Sequence, residues 1–449
     1  KDFRENLRFY GPLTGESFNN GGSMPLGQKD NSESFSYRWL NTLNYKKNWI
    51  DSKLDLLVGQ EIYSSGGKQS FIRAEDFRLS ITPEELFANM AFGRVDRQFT
   101  RENTDSNRKS IFGRADFQLK DTYIWTLTFR ADQSSKFSKE NRLGIFPALA
   151  FAWKLEQENF LKDSKFIDQL KLRITYGETG NDRIDETATK FLFEATTDRG
   201  PGFGNINNVY YTPSSSSLYN PDLKWETTVS SNIGLDFTIA NRKINGNLDF
   251  YSNKTLDLLL ESAIPNNTGF NTQWNNIGST SNKGVELGLN AYLIDKGDFT
   301  LSANFNIGAN RLKIESLDGT TERFERSNWA STDLNNINDY YLQVGGKVGD
   351  IYGYVTDGYY SVDDFSSYDE AASDYILKEG IPSSGAVVGN TNIRPGFLKL
   401  KDLDGNGEIN ADDRQVIGNG LPDFQGGFGL NARYKGFDFS AFFNYQYGN

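Results

Sequence analysis

The sequence predicts an all-β protein: an antiparallel transmembrane β-barrel with long extracellular loops. Three observations carry this: period-two alternation in segment after segment, connections that run short, long, short, long, and a composition rich in aromatics and glycine. The 449 residues include 34 Phe, 22 Tyr and 43 Gly, against 2 Met and 11 Pro. That mix favours strands and turns over helices. On length alone the chain would hold about three domains, and a single large barrel is the main exception to that rule. No run of 18 apolar residues occurs, so no helix spans a membrane. A barrel strand is only half apolar and leaves a weak hydropathy signal.

The alternation is clearest from residue 111. Ile111, Gly113, Ala115, Phe117 and Leu119 alternate with Phe112, Arg114, Asp116 and Gln118, and Tyr123, Trp125, Leu127 and Phe129 follow the same rule after a turn at 120–121. The pattern recurs over 233–239, 244–251, 285–291 and 299–309, with turns at 241–243 and 295–298. In the last hairpin Phe428, Leu430, Ala432 and Tyr434 lead to a turn at Lys435-Gly436, then Phe437, Phe439, Ala441, Phe443 and Tyr445. Such alternation places one face of a strand in an apolar medium and the other in water. These strands measure about 9–11 residues, the length that crosses a bilayer at a tilt of about 45°. Longer connections fall at about 131–146, 178–227, 254–283 and 310–425. Tight turns on one side and large loops on the other is the layout of an outer-membrane barrel. A soluble sandwich, propeller or repeat protein stays open as the alternative for the same alternation.

The remaining segments are less regular. Residues 1–30 read as loop, 36–45 and 53–60 as strands, 69–82 and 88–93 as weaker strands, and 155–168 as a place for a short helix. The expected organisation is barrel strands over 1–309, a long extracellular region over 310–425 containing the acidic loop 402–413, and a barrel hairpin over 426–449. The chain begins and stops in mid-pattern, so it reads as a piece of a longer polypeptide.

Composition excludes several chemistries. Histidine and cysteine are both absent. No Ser-His-Asp triad, Cys-His dyad, disulfide or ordinary zinc site can be built, and no enzyme is expected. A net charge of −11 without a basic stripe argues against a nucleic-acid partner.

One stretch has metal-ligand spacing. In 402–413, Asp402, Asp404, Asn406, Asn410 and Asp413 put oxygen side chains at positions 1, 3, 5, 9 and 12, with Gly407 at position 6. Calcium takes six to eight oxygens, and alternate residues of a tight loop can point inward together. Asp402, Asp404 and Asn406 would ligate by side chain, Glu408 by its carbonyl and Asp413 by its carboxylate, around a structural Ca²⁺. Asp413 stands where the usual loop has Glu. A metal-free Asx/Gly turn is the competing reading. Trp225, Trp274 and Trp329 lie in or near long loops, where they would stack on sugars, grip a partner, or simply pack. Gly345–Gly349 lacks the spacing of a phosphate loop. Asp363-Asp364 and Asp412-Asp413 are adjacent carboxylates with nothing to set them as an acid/base pair.

Several stretches together resemble one family. They are NRLGIFPALAFAWKL (141–155), LKLRITYGETGN (170–181), NPDLKWETT (220–228), NKGVELGLNA (282–291), VGDIYGYVTDGYY (348–360), RPGFLKLKDLDGNGEINADDRQVIGN (394–419) and PDFQGGFGLNARYKGFDFSAFF (422–443). In this order they are similar to the SusC/RagA family of TonB-dependent outer-membrane transporters. The resemblance is looser before about residue 110. It implies a bacterial outer-membrane barrel of about 22 strands in the full protein, with a plugged lumen. It implies a SusD-like surface lipoprotein as lid, energy from TonB–ExbB–ExbD, and import of a large oligosaccharide or peptide. Neither a plug domain nor a TonB box is found in this chain, and both are expected upstream. The matching motifs transfer no substrate residues. A secreted or surface β-rich, calcium-stabilised binding or adhesion protein is the alternative from a different class, and a passive porin is a third.

Overall fold

A computed structural model describes residues 1–12, 24–191, 193–196, 210–213, 217–326, 338–389 and 392–449. The strands in chain order begin with β1 (Asp2–Tyr10), β2 (Leu26–Asn48), β3 (Ser52–Glu75), β4 (Arg94–Leu119), β5 (Tyr123–Ser134), β6 (Leu143–Lys154) and β7 (Ile167–Asn181). Three short strands follow, β8 (Phe193–Thr196), β9 (Tyr210–Pro213) and β10 (Ser217–Leu218), then β11 (Glu226–Ile239) and β12 (Ile244–Leu256). After β13 (Leu259–Ala263) and β14 (Thr272–Asn276) come the long β15 (Ser279–Lys296) and β16 (Phe299–Ser316). Eight short strands, β17 (Glu322–Arg326), β18 (Asn338–Gln343), β19 (Asp350–Tyr354), β20 (Thr356–Tyr359), β21 (Phe365–Asp369), β22 (Asp374–Leu377), β23 (Leu398–Leu400) and β24 (Arg414–Asn419), precede β25 (Phe424–Tyr434) and β26 (Phe437–Tyr447). Among the described residues, 13 strands form one sheet in the order β1-β2-β3-β4-β5-β6-β7-β11-β12-β15-β16-β25-β26. The other strands form small separate sheets.

The register turns the sequence alternation into two chemically distinct faces. Between β25 and β26, Phe428 faces Phe443, Leu430 faces Ala441, Ala432 faces Phe439 and Tyr434 faces Phe437. The intervening pairs are Asn431 with Ser440 and Arg433 with Asp438. The neighbour β16 continues the apolar row with Phe305 opposite Phe428 and Leu301 opposite Ala432. The same order holds between β4 and β5, where Ala115 faces Leu127 and Phe117 faces Trp125. The apolar face stands as open as the polar one: Leu43 is 74% and Phe437 81% exposed, beside side-chain exposures of 69% for Arg433 and 78% for Asp438. Large apolar residues side by side on an open face require an apolar medium in place of a protein core.

The tight turns fall where the sequence puts them. Lys120 and Asp121 take left-handed φ values of 51° and 52° between β4 and β5, and Ala240, Asn241 and Arg242 do so between β11 and β12. Left-handed central residues match the twist of the strands they join.

Three expectations are corrected. Residues 2–10 are a strand, paired with β2 along its whole length. Its sequence DFRENLRFY does not alternate cleanly, and the partner's hydrogen bonds decide it. Residues 88–93, expected as a weak strand, hold the end of a helix, α1 (Pro83–Ala88), and a 3-10 turn, Met90–Phe92; α1 is started by a capping box of Thr82 and Glu85 and anchored by the buried Leu86, and the short helix expected within 155–168 is a single 3-10 turn, Leu155–Gln157. Finally, the long strands exceed the expected 9–11 residues: β3 has 24 and β4 has 26. Both faces of a strand are wet beyond the lipid, so its alternation fades there while its hydrogen bonds continue.

The chain divides into two compact units. The first is Lys1–Phe151, Tyr176–Thr228 and Asp257–Asn276, and the second is Ala152–Thr175, Val229–Leu256 and Ile277–Asn449. The first holds two small cores. One packs Phe77, Ile81, Leu86 and Met90 around α1. The other gathers Phe137, Phe146, Leu223, Trp225 and Leu259 among the connections. The second unit holds a core of Tyr360, Phe365 and Ile393.

Candidate functional site

The polar face of the wall carries the groups that can meet a solute. In the first unit it is ionic. Arg130 Nε donates to Asp132 at 2.8 Å, and its Nη2 donates to Ser110 Oγ at 2.9 Å. Arg108 donates to both oxygens of Asp182 at 2.6 and 2.7 Å, and Ser134 Oγ donates to the same carboxylate at 2.8 Å. In the second unit Arg173 on β7 joins Asp236 on β11 at 3.0 Å and Asp249 on β12 at 2.9 Å. Arg130 ties β5 to β4, Arg173 ties β7 to β11 and β12, and Arg108 ties β4 to Asp182 just past β7, since a planar fork serves several acceptors at once. Farther along the second unit the face changes character. A groove there is lined by Asn247, Glu286, Asn306, Gln425, Asn444 and Gln446, among others. Side-chain amides dominate it.

The connections at the far ends of the strands are built, not slack. Trp225, from the NPDLKWETT stretch, packs its ring 5.4 Å from those of Phe137 and Phe146 and donates Nε1–H to the Arg142 carbonyl at 2.9 Å. Trp274 packs against the same core, and Asn220 Nδ2 donates to its carbonyl at 2.9 Å. Both tryptophans pack into their own unit instead of offering open rings. Trp329 lies outside the described residues. Within the second unit, Phe324, Tyr341 and Tyr352 stack with centroids 5.1–5.3 Å apart. The guanidinium of Arg414 sits 4.6 Å over Tyr352. Tyr341 Oη donates to Glu322 at 2.5 Å, which pushes the phenol up to about 12. Gly345 and Gly349 take φ values of 84° and 91° in the turn from β18 to β19. Asp364 caps the turn at Ser361 and reaches Lys399 at 3.3 Å.

The acidic loop brings its three expected aspartate ligands together. Carboxylate oxygens of Asp402, Asp404 and Asp413 lie within 4.8 Å of one another. Oxygens bound to one Ca²⁺ at about 2.3–2.6 Å can be no more than about 5 Å apart, so the spacing fits that ion. Gly407 takes φ 89° at the sharp turn, and Ile409 is buried beneath it. Asp402 accepts from Gly405 N at 2.7 Å and Gly407 N at 2.8 Å. The Asn406 amide oxygen accepts from Glu408 N at 2.7 Å, and the Glu408 side chain stands outside the cluster at the surface. Asp413 has a part that spacing did not reveal. It is fully enclosed and accepts from Asn410 N at 2.8 Å and Leu403 N at 2.7 Å. Those two backbone donors hold its carboxyl below the usual carboxylate range. A carboxylate keeps further lone pairs for a metal after accepting such bonds.

The family described as "TonB dependent receptor-like, beta-barrel" matches residues 2–449. TonB-dependent receptor P3 of Formosa agariphila is 34% identical over 412 residues, covering 91% of this chain and 38% of that protein. TonB-dependent receptor SusC of Bacteroides thetaiotaomicron is 35% identical over 347 residues, covering 77% of this chain and 31% of that protein. The chain thus spans well under half the length of these relatives. Among solved structures, the RagAB peptide importer in its "closed-closed" state aligns over all of this chain and 44% of its own, at a TM-score of 0.75 and 21% identity. That likeness shows the fold, a wall of the large outer-membrane barrel type. The family is one of outer-membrane receptors and transporters, not of enzymes. The matched profile, the SusC relative and the RagAB fold together place this chain in the TonB-dependent receptor β-barrel family, as a barrel segment of the SusC/RagA type.

Proposed function

We propose that this chain supplies wall and surface loops to an active importer of a large nutrient, an oligosaccharide or a peptide, across the outer membrane. A SusD-like lipoprotein would close over the loops, and TonB–ExbB–ExbD would drive release through segments of the longer protein. The carrying observation is the inverted wall: rows of aromatic and aliphatic side chains stand open on one face, with charges and amides on the other. That inversion favours a membrane wall over a secreted adhesion protein. The reading is tested in cells carrying the full-length protein. Labelled oligosaccharides and peptides that accumulate in wild-type cells should fail to accumulate when TonB is deleted. Entry that persists without TonB would instead make the protein a porin.

The loop 402–413 is proposed to hold one structural Ca²⁺ through Asp402, Asp404, Asn406, the Glu408 carbonyl and Asp413, stiffening the 317–423 connection without doing bond chemistry. Calorimetric titration of the full-length protein should show one site that Asp402→Ala with Asp404→Ala removes. Ligation needs charged carboxylates, so affinity should fall with acidity. The lowered carboxyl of Asp413 sets the sign for the loop itself. Its contribution is present above the unfolded value of about 3.9 and is lost as pH drops through the lower folded value. A titration unchanged by the double substitution would overturn the site.

A further inference from the structure

The lipid face of β12, β15 and β16 changes character abruptly along the strands. Within the apolar band, Leu248 faces Leu287, and Phe250 faces Val285, which faces Ala309 in turn. One step further along the same face the series turns basic. Ser252 faces Lys283, which faces Arg311, and Lys254 faces Ser281, which faces Lys313. Lys347 lies opposite Lys313 in an isolated antiparallel bridge and extends that row. All five cations are exposed. They come from separate stretches of chain, so no basic run marks them in the sequence, and the register gathers them on one face of the second unit. Lys254 is the eleventh residue of β12 and Arg311 the thirteenth of β16. At about 3.3 Å per residue and a tilt of about 45°, they stand roughly 25–30 Å from the tight-turn side, at the top edge of an apolar band about 25 Å tall. That is the headgroup layer of the outer leaflet.

The cations are crowded without enough anions. Like charges directly opposite one another destabilise a strand pair, yet Lys283 faces Arg311 and Lys313 faces Lys347. Elsewhere the wall sets charges against their opposites: Lys29 against Glu5, Lys46 against Asp55, Arg433 against Asp438. Two carboxylates stand near the patch. Asp423 lies 3.1 Å from Arg311 and 4.0 Å from Lys347, and Glu315 accepts from the Ser281 hydroxyl. Among the described residues, Lys254, Lys283 and Lys313 make no ion pair.

We propose that Lys254, Lys283, Arg311, Lys313 and Lys347 bind the phosphate groups of an outer-leaflet glycolipid of the lipid A class, seated against the outside of the wall. A phosphate group brings up to about two negative charges and three acceptor oxygens. Ammonium groups meet it as point charges and a guanidinium as a fork. A free anion would use the cations alone. A glycolipid also lays its acyl chains on the apolar band directly below them, at Phe250, Val285 and Ala309, so the whole surface matches an amphiphile. The site rests on the outer-membrane placement of the barrel and goes beyond the import reading, since it needs neither cargo nor TonB.

The test titrates the full-length protein in neutral detergent with diphosphorylated lipid A, and native mass spectrometry counts the lipids retained. Lipid A should bind saturably. Lipid A stripped of its phosphates, and phosphatidylcholine, should bind at least tenfold more weakly to the same wild-type protein. Lys254→Gln with Lys283→Gln and Lys313→Gln should weaken lipid A binding about tenfold or more, since each basic residue at a membrane surface is worth a factor of about five. Arginine at the same three positions keeps the charges and should keep the binding, which separates lost recognition from lost folding. Lys435→Gln removes a cation at the tight-turn end and should change nothing. The site is overturned if dephosphorylated lipid binds equally well, if the triple glutamine variant binds as wild type does, or if Lys435→Gln weakens binding as much. Displacement of the lipid by millimolar inorganic phosphate would make this a site for the free ion and overturn the lipid assignment. Lipid binding without TonB-dependent uptake would overturn the import reading and leave the site standing, and the converse would overturn the site alone.

Discussion

Trp225→Ala is expected to destabilise the loop core of the first unit by about 3–5 kcal/mol, the range for deleting a buried tryptophan. The ring is 8% exposed and fills the space between Phe137 and Phe146. Truncation opens a cavity there and removes the indole N–H from the Arg142 carbonyl, which keeps its second donor, Ser134 N, at 3.1 Å. The wall should survive, because its strands are held by their own ladders. The measurement is limited proteolysis of the full-length protein in detergent. Cleavage within the described stretches 182–191 and 217–225 should accelerate at least tenfold while the strands stay resistant, and Trp225→Phe should fall between the two. Unchanged cleavage would mean that the packing of Trp225 does not hold these connections.

Phe443→Arg and Asn444→Arg place the same charge at adjacent positions on opposite faces of β26. Phe443 lies seven residues past Gly436. At about 3.3 Å per residue and a tilt of about 45°, it sits roughly 16 Å from the turn, near the middle of the apolar band. An arginine on the lipid face at that depth costs about 2–4 kcal/mol. The loss of the stack on Phe428, 4.7 Å between centroids, adds to it. Asn444→Arg points into the wet face and should change stability by no more than about 0.5 kcal/mol. Urea refolding into phospholipid vesicles, followed by the mobility shift of the folded barrel, gives both values. Equal effects would contradict the assignment of the two faces.

How much of this was legible in the sequence depended on the medium around each segment. Ile111–Leu119 and Phe428–Phe443 were readable because lipid on one face and water on the other leave a period of two. Asp2–Tyr10 was not, since its side chains are mostly exposed on both faces and only the ladder to β2 makes it a strand. Residues 310–425 read as one long loop for a related reason. Their strands are three to six residues long and are held by local aromatic clusters such as Phe324–Tyr341–Tyr352, too short for periodicity to register. In the acidic loop, the spacing showed which oxygens could converge. It did not show that Asp413 also latches Leu403 and Asn410, because backbone donors leave no mark in side-chain spacing.

The pairing of β16 with β25 sets Phe299 opposite Tyr434, neighbours in space across more than a hundred residues of chain. Closing a loop of that size carries an entropy that grows only with the logarithm of its length, about 0.6 kcal/mol for each doubling. The connection can therefore lengthen, shorten or exchange its small sheets with little effect on the strand ladder beneath it. Surface variation is nearly decoupled from wall stability, so one chassis can carry very different displays by changes confined to the connection.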